Sequence, residues 1–324
     1  MFNLDISGTF NNSWHTGILL SMIKNKVPPY LYFLIKSLLH NRTVNIRYAG
    51  AVFSGIALAG CPQGAVLSPI LWCFLQEEII LVMRNYLRTH RWYLRLHRIR
   101  YFLANFTDDS TVLLIGPPNS LNAISRNMLS REAGLFINHL TANCKHFLVT
   151  FAGDKTNALH FFRKYESVTD YPIILTPTTA LSTIPDPEDN SIRVLGLWID
   201  NKLLWNPHIE RQAAKCQALL FALRGAYGSS HGLSGKLLKV VFQGLISACL
   251  FYAAEIWGYS LLGQGNLTRA RKVDVVLNRA ARMICKSSKT SSNIASRALA
   301  GIPPTDLLVP QGPNPDGESL TWTW

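Results

Sequence analysis

Residues 104–116 read ANFTDDSTVLLIG, two adjacent carboxylates set inside an apolar run. Phe106 precedes Asp108 and Asp109, and Val112, Leu113, Leu114 and Ile115 follow them. Flanks this apolar predict a buried strand or a tight hairpin, where even one unpaired carboxylate is costly. Two neighbouring carboxylates also repel each other unless a positive charge lies beside them. A divalent cation removes both costs, and a set of oxygen donors suits Mg²⁺ or Mn²⁺. Successive strand residues face opposite sides of a sheet, so one member of the pair aims at a given ion and a second strand must supply another acid. Asp5 in NLDISGTF is the candidate, a bare Asp in the middle of the other apolar strand of this kind. Such strands side by side would give the two-metal geometry of phosphoryl transfer, with ions ~3.5–4 Å apart. The same residues also read as a plain turn, because Asp-Asp-Ser is good turn chemistry and Asp5 then serves only as a cap.

The rest of the composition narrows the setting. The chain has 324 residues, room for about two domains of ~150 residues each. At 48% hydrophobic and 16% charged it builds a core and is no disordered tail. Lys and Arg outnumber Asp and Glu by 32 to 19, a net charge of +13. That excess points to a polyanionic partner, nucleic acid or an acidic membrane surface, against the plainer reading of a soluble protein that is merely basic. The six cysteines form no C-x-x-C pair and none has a His at zinc spacing, which argues against a zinc site and suits a reducing compartment. The N-terminal MFNLDISGTF has neither a basic leader nor a long apolar run, so no secretory signal is expected. The most apolar window, 240–258, contains Gln243 and Glu255 and reads as a core helix rather than a membrane span. The expectation is an intracellular protein, in nucleus or cytoplasm, with no transmembrane helix.

Along the chain, FNLDIS predicts a strand, 13–39 two helices broken by VPP at 27–29, and 42–60 a hairpin. Ser68 followed by Pro69 predicts a capped helix start, with apolar spacing to about residue 88. The stretch 84–100 interleaves six Arg and two His with Tyr86, Trp92 and Tyr93. It reads either as phosphate contact with stacking or as a helix end with its charges in water. A helix is expected over 119–140, a turn and strand over 151–162, a Pro- and Thr-rich linker over 166–190, and a hairpin over 191–209 turning at Asp200–Asn201. From 210 to about 300 the chain is expected to be mostly helical.

In order, the segments LDISGTF, GCPQGAVLSP, FTDD, DKT and VLGLWIDNKLLWNPHI resemble the reverse transcriptase of non-LTR (LINE-type) retrotransposons. That family carries a D-x-x-x-x-F/Y strand, a G-x-PQG-x-x-x-SP segment, a Y/F-x-DD hairpin, a Lys-Thr strand and an LG-x-x-x-D…L-x-W…H-I hairpin. The likeness covers roughly residues 2–209 and continues more weakly through LNRAARMICKSSKTSSNIASRALAGIPP. It implies an RNA-directed DNA polymerase working on an RNA template, a DNA primer and dNTPs, with Mg²⁺ or Mn²⁺ and no other small-molecule cofactor. By the same resemblance Asp5 and Asp108 are the metal ligands and Asp109 supports the pair. Phe10 takes the place of the aromatic that excludes a ribose 2′-hydroxyl. Gln63 and Gly64 pack against the nascent base pair, Lys155 protonates the leaving pyrophosphate, and 194–209 hold the primer end. From sequence alone Phe10 equally suits a core position and Lys155 a solvated turn.

The implied fold is α+β: a right-hand polymerase palm, in which a small antiparallel sheet is backed by helices, followed by a helical thumb-like region. The boundaries are 1–165 for the palm, 166–190 for the linker, 191–310 for the hairpin and helical region, and 311–324 for a flexible tail. Three departures from the family pattern stand out. The fingers region is largely missing before Asp5, Asn11 stands where another Asp is usual, and the hairpin reads F-T-D-D. They imply intact metal ligands with weakened nucleotide binding, so that primers are extended poorly or not at all. The alternative is an inactive retrotransposon relic, or a host protein, that binds RNA or DNA through its basic surface.

Overall fold

The computed structural model describes residues 1–107, 109–117, 123–151, 156–162, 169–176, 179–181, 183, 190–226, 232–262 and 267–308. The chain divides into two compact units, Met1–Leu195 and Gly196–Trp324. Helices and small antiparallel sheets mix in an α+β arrangement.

In the first unit, strands β1 (Phe2–Asp5), β4 (Arg100–Phe106), β5 (Asp109–Ile115) and β6 (Asn157–Ala158) form one antiparallel sheet in the order β4-β5-β1-β6. Helices α1 (His15–Lys24) and α2 (Pro29–Leu39) flank the expected break, and β2 (Thr43–Tyr48) pairs with β3 (Ala51–Ile56) in the expected hairpin. Helix α3 (Ser68–Thr89) buries Leu71, Leu75, Ile79, Met83 and Tyr86, the three-to-four spacing that makes one apolar face. Together with α5 (Ala123–Cys144) it covers the sheet, and Phe2, Leu4 and Val112 meet Leu75 and Phe136 in a single core. The short α4 (Arg91–Leu96) links α3 to β4. Within this core Tyr86 and Tyr101 both donate their hydroxyls to Oε1 of the buried Glu132, at 2.9 and 3.0 Å.

Two local expectations change. Ser68 is not the cap of α3: Leu67 precedes the helix, and the Ser68 hydroxyl donates to the Pro62 carbonyl at 2.6 Å. Part of the 166–190 segment is strand, β7 (Ile173–Thr176) and β8 (Thr179–Leu181), and Ile173 enters the first core. Its seat depends on Gly134 of α5, where a Cβ would lie 2.5 Å from the Ile174 carbonyl oxygen. Proline and threonine frequency suggested an open linker, but β-branched residues flanking it had a core to join. The first unit therefore runs on through β9 (Ser191–Val194).

The second unit opens with β10 (Leu197–Asp200) after a turn in which Leu195 and Gly196 take φ of 48° and 87°. Helix α6 (Asn206–Ala222) packs on α10 (Leu267–Ile284), joining Ile209, Ala213 and Cys216 to Val273, Leu277 and Ala280. Between them lie α7 (Gly235–Val241), a π-helical turn over Phe242–Ser247, α8 (Ala248–Leu250) and α9 (Ala254–Trp257). Helices α11 (Asn293–Ala300) and α12 (Thr305–Leu308) follow. Among the described residues no single helix is long and apolar enough to cross a membrane. The apolar window at 240–258 breaks at Ala253, where φ is 52°, and buries Phe242, Ile246, Leu250 and Trp257 in the second core.

Candidate active site

Strand β1 buries Phe2 and Leu4 on the helix-covered face of its sheet, which leaves Asn3 and Asp5 on the other face. Register places Asp5 directly opposite Asp109 and Asn3 opposite Thr111. Residues directly opposite in an antiparallel pair share a face, with Cβ atoms about 4.5–5.5 Å apart. The Thr111 hydroxyl accordingly donates to Asn3 Oδ1 at 3.1 Å. The next strand puts Phe106 beside Asp109 and Ala104 beside Thr111, and Phe106 is 64% exposed. The face turned away from the helices thus carries a row of Asp5, Asp109 and Phe106, half-buried to exposed.

Thr107 follows the end of β4 and takes φ of 54°, the left-handed region that tight hairpin turns use. Its carbonyl accepts two hydrogen bonds from α3: the Trp72 indole N–H at 2.7 Å and the Gln76 amide at 2.9 Å. Neither Trp72 nor Gln76 was singled out from sequence. Their spacing of four, one helical turn on the face toward the sheet, was the available signal.

The chain after Asp5 folds back on itself and on the PQG segment. Ser7 donates its N–H to the Thr150 carbonyl at 2.8 Å, and Ile6 bridges Phe151. Cys61 donates its N–H to the Phe10 carbonyl and Gly60 donates to Ser13, at 2.7 and 2.9 Å. The Gln63 amide donates to Asn11 Oδ1 at 3.3 Å. Gly60 has φ of 93°, and a Cβ there would lie 2.7 Å from the Asn11 carbonyl oxygen, so only glycine fits. Gly64 has φ of 82° and open space around it. Phe10 is partly buried, 6.5 Å from the Trp72 ring.

The structure therefore brings Asp5, Asp109, Phe10 and Gln63 to one end of the first unit, with Gly64 next along the chain. Asp108 and Lys155 lie outside the described residues; Thr107 and Asp109 flank the first, and Phe151 and Thr156 bracket the segment holding the second. Two carboxylates on one sheet face are hard oxygen donors and fit a divalent ion of the Mg²⁺ class. Among the described residues there is no group of three or more His, Cys, Asp or Glu side chains placed to hold a metal ion.

The basic stretch separates into two kinds of residue. All six arginines between Arg84 and Arg100 are exposed, as is Trp92, whereas Tyr86 is buried against Phe136 and Glu132. In the second unit the LWID…LWNPHI segment turns its polar groups inward. Asp200 accepts the N–H groups of Leu204 and Trp205 at 2.9 and 2.6 Å, which fixes the left-handed Trp205 just ahead of α6. The buried His208 accepts the Trp198 N–H on Nδ1 at 3.4 Å and stands edge-on to Trp257 at 5.2 Å.

No family model matches the chain. It is 24% identical over 282 residues to the probable RNA-directed DNA polymerase from transposon BS of Drosophila melanogaster, covering 87% of this chain and 28% of that protein. It is 23% identical to the retrovirus-related Pol polyprotein from type-1 retrotransposable element R1 of Bradysia coprophila, over 94% of this chain and 27% of that protein. It is also 23% identical to the RNA-directed DNA polymerase from mobile element jockey of Drosophila melanogaster, over 82% of this chain and 26% of that protein. The chain spans about a quarter of the length of these curated relatives. Over most of its length, and at low identity, its curated homologues are the RNA-directed DNA polymerases of non-LTR retrotransposons.

Proposed function

We propose that this chain is the palm and thumb-like part of an RNA-directed DNA polymerase that copies RNA into DNA from a primer end. Its setting is intracellular, in nucleus or cytoplasm, where template RNA and target DNA are both at hand. The observation that carries the reading is the register of Asp5 opposite Asp109, at the base of the F-T-D-D turn. Asp5 and Asp108 would hold divalent ions, with Asp109 supporting the pair. Ions bound there supply the positive charge that favours ionisation of the primer 3′-hydroxyl and offsets charge on the departing pyrophosphate.

The protein's own part is mostly positioning, the main contribution open to it in this class of reaction. Trp72 and Gln76 hold the turn through the Thr107 carbonyl. Phe10 stands at the wall where a sugar would sit, and Gln63–Gly64 offer a thin backbone to a passing base pair. Lys155 would carry a proton to the leaving group. Asn11 offers the nucleotide a neutral amide where relatives of this class present an acid, so nucleotide binding is weaker.

The test is primer extension on an RNA template with dNTPs and Mg²⁺ or Mn²⁺. Slow, template-dependent extension that is lost in Asp5→Asn and in Asp108→Asn is expected. Incorporation that survives both substitutions would overturn the assignment, as would none above the Asp5→Asn background at saturating dNTP and Mn²⁺.

A further inference from the structure

A single peptide unit of the first unit, Gly60–Cys61, is held from both of its ends. The Gly60 carbonyl accepts two side-chain donors, His15 Nε2 at 2.9 Å and Arg42 Nη1 at 3.0 Å. They come from separate elements: His15 is the first residue of α1, and Arg42 lies just before β2, its own carbonyl accepting the Ala57 N–H at 2.7 Å. Two donors use both lone pairs of the Gly60 oxygen. Because a carbonyl only accepts, the His15 ring carries a proton on Nε2. Both side chains are half-buried, and Arg42 pairs with no carboxylate among the described residues.

The other end of the same planar unit is the Cys61 N–H, which donates to the Phe10 carbonyl at 2.7 Å. A grip on the oxygen therefore sets the direction of the N–H. Glycine at position 60, with φ of 93°, leaves the plane free to rotate unless something holds it. The fit around it is close: a Cβ on Gly60 would lie 3.3 Å from the Phe10 oxygen as well as 2.7 Å from that of Asn11. His15 and Arg42 thus reach the backbone of Phe10 through one rigid link, from the far side of the loop.

We infer that His15 and Arg42 are positioning residues for sugar selection, holding the Phe10 wall in place through the Gly60–Cys61 peptide; the role rests on the polymerase reading proposed above. They act on the wall and not on the nucleotide. An apolar wall turns away an added hydroxyl by a factor on the order of a hundred. A displacement of about 1 Å at a reacting site costs about as much. A wall whose backbone can rotate away gives the 2′-hydroxyl room, so the loosened protein accepts ribonucleotides more readily relative to deoxyribonucleotides.

The experiment gives the full chain one dNTP, or the matching rNTP, opposite the same RNA template base with Mg²⁺, and measures kcat/KM for each. His15→Ala and Arg42→Ala should each lower the dNTP/rNTP ratio by about tenfold, part of the loss open to a displaced wall. A variant that merely folds poorly contains less active protein, which scales both nucleotides alike and leaves the ratio where it was. Phe10→Ala should lower the ratio at least as far, and adding Arg42→Ala to it should lower it no further. His15→Gln keeps a side-chain N–H donor and should recover most of the ratio. A parental ratio in both alanine variants would overturn the inference, as would a further drop of the same size in Phe10→Ala/Arg42→Ala. Hydrogen exchange at the Gly60 and Cys61 amides needs no activity and should quicken in both alanine variants. Parental exchange in both overturns the clamp whatever the extension assay gives, whereas a parent chain that extends no primer while exchange does quicken fails the polymerase reading, and the sugar-selecting role with it.

Discussion

Asp5 and Asp109 stand directly opposite each other across strands β1 and β5, on the sheet face turned away from the helical core. A divalent ion held at this acidic end, as proposed, stabilises the folded state by mass action, about 2.7 kcal/mol at a hundredfold excess over Kd. Mn²⁺ should therefore raise the melting temperature of the first unit by several degrees, at roughly 2–4 °C per kcal/mol for a unit of this size. Asp5→Asn should remove the increment while leaving the metal-free transition in place. Differential scanning fluorimetry with and without Mn²⁺ reads both.

Trp72 and Gln76 converge on one carbonyl. Trp72→Phe keeps most of the buried ring and deletes only the indole donor, so its cost should be about 1–1.5 kcal/mol. Gln76→Ala removes the second donor, and the double variant strands a carbonyl in the interior and should cost more than the sum. Urea unfolding of the four proteins forms a double-mutant cycle that reads the coupling.

Gly60 and Gly64 both take positive φ, but their surroundings differ. Gly60→Ala drives a methyl into the Asn11 carbonyl and should destabilise the fold by about 2–4 kcal/mol, strain and clash together. Gly64→Ala meets open space and should cost about 1 kcal/mol. If a base pair passes over Gly64, that mild variant should still slow primer extension clearly. Thermal melts and extension rates on the same pair separate the two effects.

Burial pushes His208 down to about 4, and burial with Arg126 nearby does the same to His160. In the unfolded chain each titrates near 6.5, so above that pH neither state carries the proton and the histidines' share of the stability is constant. As pH falls below 6.5 the unfolded chain protonates first, and stability drops until about pH 4, by roughly 3 kcal/mol per histidine. Melting temperatures between pH 7.5 and 4 should fall along this curve. His208→Asn should flatten its share of the slope even where it lowers the starting value.

Asp200 is buried and accepts two backbone N–H groups. Asp200→Ala leaves both without a partner and should destabilise the second unit by about 2–4 kcal/mol. Asp200→Asn keeps one acceptor oxygen and should recover part of the loss. Hydrogen exchange at Leu204 and Trp205 would report the opening directly.

These residues also mark what the sequence could convey. The acidic strands, the broken helix pair and α3 were legible because each depends on local periodicity or on a proline at a fixed place. Asp200 does sit at a turn, its carbonyl accepting the Leu203 N–H at 3.0 Å, but the turn between β9 and β10 comes earlier, at Leu195–Gly196, and the capping of Leu204 and Trp205 by the Asp200 carboxylate was not legible. Strands β7 and β8 were hidden because Pro and Thr dominate their neighbourhood, while what holds Ile173 in place is Gly134, about forty residues away. The Ser68 hydroxyl follows the same logic, since a partner six residues upstream outcompeted the helix end. Motif order named Asp5, Asp109, Phe10 and Gln63, but the donors that fix the turn, Trp72 and Gln76, lie in α3 beyond the Ser68–Pro69 that ends its motif.

Helix α3 carries one further implication. Its first residue grips Pro62 of the glycine-bearing loop, and its next two turns grip Thr107 at the acidic hairpin, over about 12 Å of rigid rod. The two segments cannot drift independently. If a duplex lies on that loop, as proposed, pressure from a mispair there would tilt the rod and swing the hairpin with it, so that poor fit at one end becomes misalignment at the other.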